Sequence, residues 1–248
     1  MKIVATYNIK GGVGKTSAAV NLGALAAGDG LRTLLWDLDP QGAASYLLRV
    51  RPKVKGGGRK LVRGRSDVAG LLRGTDVDGL DLLPADFSYR YMDLALDATG
   101  KPTRRVRKVL APLAEHYDLA LLDCPPSISL VSESVFEAAD ALLVPLIPST
   151  LTLRTFEQLG DFVAAEVNRR PQIVGFFSMV DGRKRLHREV VATLPDGRDD
   201  LVRSAIPAAT EVELMAAERS PLVVHAPRSR AARAYRSLWG EVRATLDL

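Results

Sequence analysis

Apolar residues along the chain fall into short continuous runs, separated by longer stretches in which they recur every three or four positions. Lys2 to Ile9 contains the first run and predicts a buried strand; after a Gly-rich turn, Thr16 to Ala27 has the Ala and Leu content and the length of a helix. Thr33 to Asp39 predicts a second strand, ended by Pro40 and Gly42, and Ala43 to Leu48 begins another helix. Leu80 to Pro84 reads as a short strand, Tyr89 to His116 as mainly helical, and Leu119 to Asp123 as a compact apolar strand cut off by Pro125 and Pro126. Ala141 to Ile147 and Ile173 to Val180 are further apolar strands with the helical stretch Leu151 to Val167 between them, and Leu201 to Ile206 adds a last one. Near the end, Ala232, Tyr235, Trp239, Val242 and Leu246 recur at helical spacing, a stripe that faces a core.

Continuous apolar strands alternating with helices predict an α/β fold with a mostly parallel twisted sheet covered by helices on both faces. With 248 residues, 47% of them apolar, and neither repeat nor linker, a single domain spanning 1–248 is expected. The stretch 51–65 holds Pro52 and the glycines Gly56 to Gly58, which predicts a flexible basic insertion.

Charge sharpens that expectation. The net charge of +5 is unevenly spread: from Arg49 to Arg65 there are eight basic residues and no acid, and Lys101 to Lys108 adds five more. Such stretches suit polyanions, or are merely solvated surface. The one cysteine, Cys124, excludes an internal disulfide and is too few for a zinc or iron–sulfur site. His116, His187 and His225 have no metal-ligand spacing. With no signal peptide and no run of eighteen apolar residues, a cytoplasmic protein without membrane attachment is expected.

Three short strings carry chemistry. Lys10-Gly11-Gly12-Val13-Gly14-Lys15-Thr16 lies between the first strand and first helix, where glycines let backbone N–H groups turn inward and the helix N-terminus adds positive charge. Lys15 is then placed along the β- and γ-phosphates of a nucleotide, and the Thr16 hydroxyl on Mg²⁺. Ile9 stands where the ordinary phosphate-loop pattern has its first glycine, and Lys10 adds a second lysine. Asp37-Leu38-Asp39-Pro40-Gln41-Gly42 closes a strand with two carboxylates, which alternation would turn toward one metal and water site, or which cap a helix. Leu121-Leu122-Asp123-Cys124-Pro125-Pro126-Ser127 delivers Asp123 at a strand end, suited to holding Mg²⁺ through a water; Cys124 reads as a small buried residue.

In this order and approximate spacing the three strings resemble the ParA/MinD superfamily of deviant-Walker P-loop ATPases, closest to its ParA (Soj-like) branch. The resemblance implies ATP and Mg²⁺ as cofactors, held by Gly11, Gly12, Val13, Gly14, Lys15, Thr16 and Ser17, with Thr16, Asp39 and Asp123 around the metal. It implies catalytic roles for Lys15, for Lys10 acting across a nucleotide-sandwich homodimer, and for Asp39 in activating water. Phe176 to Asp181 and Ala205-Ile206-Pro207 resemble the segments that flank the base, which implies contacts from Met179, Asp181 and Pro207. The activity implied is a weak, partner-stimulated ATP hydrolysis that positions or segregates a plasmid, a chromosome or a protein assembly. A ParB-like protein or a cargo adaptor would be the partner, and non-specific DNA, hence nucleoid association, the matrix.

One departure bears on that matrix. Ala208-Ala209-Thr210-Glu211 stands where ParA proteins commonly have an Arg/Asn-rich turn, so a DNA surface would have to come from Arg183, Lys184, Arg185 and Arg188, from the basic insertion, or from Arg230, Arg233 and Arg236. Alternatives are a positioner of non-DNA cargo and a metabolic P-loop ligase of the dethiobiotin synthetase type. The MinD-like membrane relative would need an amphipathic tail after the last helix, and the iron–sulfur relative more cysteines.

Overall fold

Alternate residues of each apolar strand enter opposite cores: Ile3, Ala5, Leu34, Trp36, Ala120 and Leu122 pack on one face of the sheet, and Val4, Leu35, Leu119 and Leu121 on the other. The computed structural model describes residues 1–248. Its strands are β1 (Lys2–Thr6), β2 (Thr33–Asp37), β3 (Arg73–Gly74), β4 (Leu80–Leu83), β5 (Leu119–Asp123), β6 (Ala141–Leu146), β7 (Gln172–Val180) and β8 (Leu201–Pro207). They form one sheet in the order β3-β4-β2-β5-β1-β6-β7-β8, parallel throughout except for the antiparallel edge pair β3–β4.

The helices are α1 (Lys15–Gly28), α2 (Ala43–Leu47), α3 (Gly57–Val62), α4 (Met92–Asp97), α5 (Arg105–Leu110), α6 (Leu130–Ala138), α7 (Thr150–Glu166) and α8 (Arg185–Thr193). Three one-turn pieces, α9 (Thr210–Glu213), α10 (Met215–Glu218) and α11 (Leu222–His225), lead to the long α12 (Arg230–Leu246). Ala-rich α1 is packed between the sheet and α12, and Ala232, Tyr235, Trp239, Val242 and Leu246 of α12 are buried against it. Trp239 Nε1 donates to Asp29 Oδ2 at 2.8 Å, pinning α12 to the residue that ends α1. No helix is long and apolar enough to cross a membrane.

The expected flexible insertion at 51–65 is corrected by this fold. Val54, Leu61 and Val62 are buried in the same core as Trp36, and α3 lies inside the segment. The backbone is tied down as well: Val54 N donates to Asp86 Oδ2 at 2.8 Å and Gly58 N to Ser88 Oγ at 2.9 Å. Three apolar positions scattered among glycines and cations suffice because they meet Tyr89 and Met92 of the neighbouring turn and helix.

The chain crosses from one side of β1 to the other between β5 and β6, so the carboxyl ends of the central strands open onto a crevice. Thr6, Asp37 and Asp123 stand at one level there, paired in register across β1, β5 and β2.

Candidate functional site

Between β1 and α1 the backbone makes a cradle. None of the amides from Gly11 to Ser17 donates a hydrogen bond within the chain, and they gather at the N-terminus of a 14-residue helix. Gly14 has φ 96°, and a side chain there would meet Ser178 Oγ at 2.8 Å, so glycine is required twice over. Lys15, only 7% exposed, donates from Nζ to the carbonyl oxygen of Lys10 at 2.8 Å. Burial pulls its pKa down from the ordinary lysine value, opposed by Asp123, Cys124 and Asp39. Asn8 fixes the start of the loop: its Oδ1 accepts from Lys10 N at 2.9 Å and its Nδ2 donates to Pro145 O at 2.9 Å.

Asp123 is fully buried, and its Oδ2 has no hydrogen-bond partner. Desolvation raises its pKa well above the usual carboxylate value, and Asp37 and Asp39 push the same way, against Thr16 and Lys15. An orphaned carboxylate oxygen beside a threonine hydroxyl and a lysine, below a ring of free amides, fits a divalent cation bound to a polyphosphate. Thr16 and Asp123 are the residues that could hold such a cation.

The expected pairing of Asp37 with Asp39 on one metal site is corrected. β2 ends at Asp37, so strand alternation does not extend to Asp39. Asp37 Oδ2 instead accepts from the amide and the hydroxyl of Ser45, both at 2.7 Å, securing the first turn of α2. Burial raises Asp37 to a pKa of about 6. Asp39, half-buried, accepts from Gln41 N at 2.9 Å in a tight turn and faces the cleft.

That cleft, about 360 Å³, is lined by Gly11, Gly12, Gly14, Lys15, Thr16, Ser17 and Asp39 on the phosphate side and by Met179 and Pro207 at the far end. Val13 is buried beneath the loop and Lys10 lies off the wall, half-exposed. Met179 has φ 54°, an uncommon conformation for a side-chain-bearing residue, and sits where the β7–β8 register shifts. Asp181 is not on the wall: Arg183 Nε and Nη2 hold its carboxylate at 3.0 Å each and lower its pKa. Pro126, Ser178, Ile206, Ala208, Ala209, Val212, Glu213 and Tyr235 complete the wall. Helical periodicity assigned Tyr235 to a core stripe; it is 1% exposed and borders the cleft as well. Cys124 is buried, and burial raises its thiol pKa far above ordinary, which leaves it unreactive.

A doubly covered, mostly parallel sheet with a glycine cradle at its switch point defines a P-loop nucleotide-binding protein. A family model described as an AAA domain matches residues 1–173. The chain is 32% identical over 249 residues to the sporulation initiation inhibitor protein Soj of Bacillus subtilis, covering 98% of each chain. It is 36% identical over 249 residues to the chromosome-partitioning ATPase Soj of Thermus thermophilus, covering 98% of this chain and 96% of that one. Among solved structures, a cobyrinic acid a,c-diamide synthase from Mycobacterium smegmatis with bound ATP analog and magnesium superposes with a TM-score of 0.79 at 26% identity, over 99% of this chain and 96% of that one. A Cyanothece McdA–ATP complex, at 18% identity, shares the fold with a TM-score of 0.83 over 100% of this chain and 97% of that one. The chain belongs to the ParA/MinD superfamily of P-loop ATPases, with relatives among the Soj and ParA partition proteins. The synthase from Mycobacterium smegmatis has been solved both with an ATP analog and with ADP, each with magnesium.

Proposed function

We propose that the protein is a ParA-like positioning ATPase: ATP closes a sandwich homodimer, the dimer holds a matrix of non-specific DNA, and a ParB-like or cargo-adaptor partner stimulates hydrolysis and release. The observation that carries this reading is the division of labour between the two loop lysines. Lys15 is buried and turned into the cleft, whereas the ammonium of half-exposed Lys10 makes no hydrogen bond or ion pair within its own chain. A cation held at the rim of a phosphate site by its backbone alone is free to serve the site of a second protomer.

In the reaction, water attacks the γ-phosphorus and the bond to the β–γ bridging oxygen breaks, giving ADP and phosphate. The free amides and Lys15 hold the β- and γ-phosphates, and Asp39 orients the attacking water. Thr16, and Asp123 through a water, would hold magnesium, whose charge would neutralise the phosphates when bound. Lys10 of the facing protomer adds positive charge where negative charge develops on the bridging oxygen. Cytoplasmic, nucleoid-associated placement follows from a DNA matrix.

The test is Asp39→Ala, which keeps Mg-ATP binding but slows hydrolysis. In ATP, light scattering on a sizing column should give twice the monomer mass; a monomer with normal turnover overturns the proposal. The similarity to a cobyrinic acid a,c-diamide synthase structure favours a metabolic ligase as the second reading. ATP turnover that requires an organic carboxylic acid would select it.

A further inference from the structure

The surface cations of this chain are of two kinds. Seven arginines away from the sheet edge are paired with carboxylates: Arg32 with Asp118, Arg169 with Asp140, Arg183 with Asp181, Arg185 with Glu189, Arg198 with Asp200, Arg203 with Asp196 and Arg243 with Asp29. In α12, Arg233 and Arg236 donate to the carbonyl oxygens of Arg228 and Pro227. At the β3 edge salt bridges are sparse, although Arg73 Nη1 donates to the carbonyl oxygens of Gly70 and Leu72 as the α12 arginines do to theirs. Arg51, Lys53, Lys55 and Arg73 are exposed, form no salt bridge, and line one hollow of about 530 Å³ with Arg49. Arg49 alone of the five forms a salt bridge, with Asp76 at 3.4 Å, and Lys53 lies near enough to Asp86 to help lower the pKa of that carboxyl.

These charges sit on a fixed support. Buried Val54 lies between Lys53 and Lys55, its amide bonded to Asp86, and Pro52 packs close to Gly42. A side chain on Gly58 would meet Tyr89 Cδ1 at 2.7 Å, which shows how closely the following helix is seated. Cations without salt bridges, carried on a backbone that is already ordered, release counterions from a polyanion at little entropic cost.

From this we infer that the hollow at the β3 edge is a nucleic-acid backbone site: Arg51, Lys53, Lys55 and Arg73 neutralise successive phosphates of a duplex without reading its sequence. An array of exposed long-armed cations suits a repeating polyanion, whereas one small phosphate ester would need buried donors, and the hollow has none. A lipid surface is disfavoured because Val50 is the one apolar residue on its wall and no large exposed apolar side chain lines it. The inference rests on the reading of the protein as a positioning ATPase with a DNA matrix, and locates the face that meets that matrix.

The experiment measures fluorescence anisotropy of a random-sequence duplex with the full chain in Mg-ATP, over a series of salt concentrations. The variant Arg51→Gln, Lys53→Gln, Lys55→Gln, Arg73→Gln should bind at least about tenfold more weakly at low salt, and its log–log salt slope should shrink by about 0.9 for each phosphate no longer neutralised. Two half-variants, Arg51→Gln with Lys53→Gln and Lys55→Gln with Arg73→Gln, should each show part of that decrease, which guards against a misfolded quadruple variant. Arg51→Lys with Arg73→Lys should retain the full slope, and Arg230→Gln, Arg233→Gln, Arg236→Gln should stay within about twofold of the unmodified chain. Dimer mass and ATP turnover are read on the same samples. If the unmodified chain binds DNA and the hollow variants bind equally well, the site is wrong while the positioning reading stands. If the chain dimerises in ATP yet binds only vesicles of anionic and zwitterionic phospholipid, or an acidic protein, or nothing, the nucleic-acid site is overturned. If ATP produces no dimer, the positioning reading itself fails, whereas nucleotide-independent loss of DNA binding in the hollow variant would still support the site.

Discussion

Two glycine-rich, lysine-flanked turns open helices in this chain, and they do opposite things. Lys10-Gly11-Gly12-Val13-Gly14-Lys15 precedes α1 at the centre of the sheet; Lys55-Gly56-Gly57-Gly58-Arg59-Lys60 opens α3 at its edge. In the first, the amides from Gly11 to Ser17 are unclaimed and a lysine is buried behind them. In the second, Gly57 N donates to Val54 O at 2.9 Å and Gly58 N to Ser88 Oγ at 2.9 Å, while the lysines face solvent. Composition is nearly the same, so what separates a ligand cradle from a structural turn is where the backbone donors go. One turn keeps its donors for a ligand; the other consumes them in folding and leaves only its side-chain charge to the outside.

The strongest break in this contrast is Lys15→Ala. Two charge-assisted hydrogen bonds to phosphate at about 1.5–3 kcal/mol each are removed, so ATP affinity should fall by about two to four decades in a fluorescent-nucleotide titration. The thermal midpoint without nucleotide should hardly move. Leu61→Ala probes the other turn: a fully buried leucine under α3 is truncated, which should cost about 2–5 kcal/mol in urea unfolding, with ATP affinity of the folded fraction kept. Gly58→Ala should cost less, about 1–3 kcal/mol, because Tyr89 must move to admit the methyl group. A midpoint unchanged by both substitutions would mean that the edge turn is as loose as its composition suggests.

The smallest effect has a sign that depends on pH. Asp123 has its pKa raised by burial, so the folded chain favours its protonated form; its contribution is present below about pH 4 and is lost as pH rises. Asp123→Asn should therefore stabilise the nucleotide-free protein by about 1 kcal/mol at pH 8, with the gain vanishing toward pH 4, while removing magnesium-dependent nucleotide binding. A constant gain across that range would remove the role assigned to the buried charge.

The central strands and the phosphate loop were legible because parity along an apolar run and glycine beside lysine are both local signals. Other features depend on partners distant in sequence. Val54, Leu61 and Val62 looked incidental among cations until Tyr89 and Met92 were brought against them. Asp37 resembled a second metal carboxylate because nothing in the string shows β2 ending there or Ser45 turning back to it. Helix α6 went unassigned, and β3, only two residues long, carries too little pattern to be read at all. Tyr235 fits a helical core stripe and a cleft wall equally well, and spacing reports only the former.

The bond from Lys15 Nζ to the carbonyl of Lys10 fixes an order of events. An arriving phosphate has to take that ammonium away from the carbonyl, and in the same step Lys10 is left held by the hydrogen bond from its amide to Asn8 Oδ1 alone. Loading the cleft and freeing the carbonyl of that loop peptide are then a single exchange. A nucleoside without phosphates brings no anion to draw Lys15 away and would leave that latch shut.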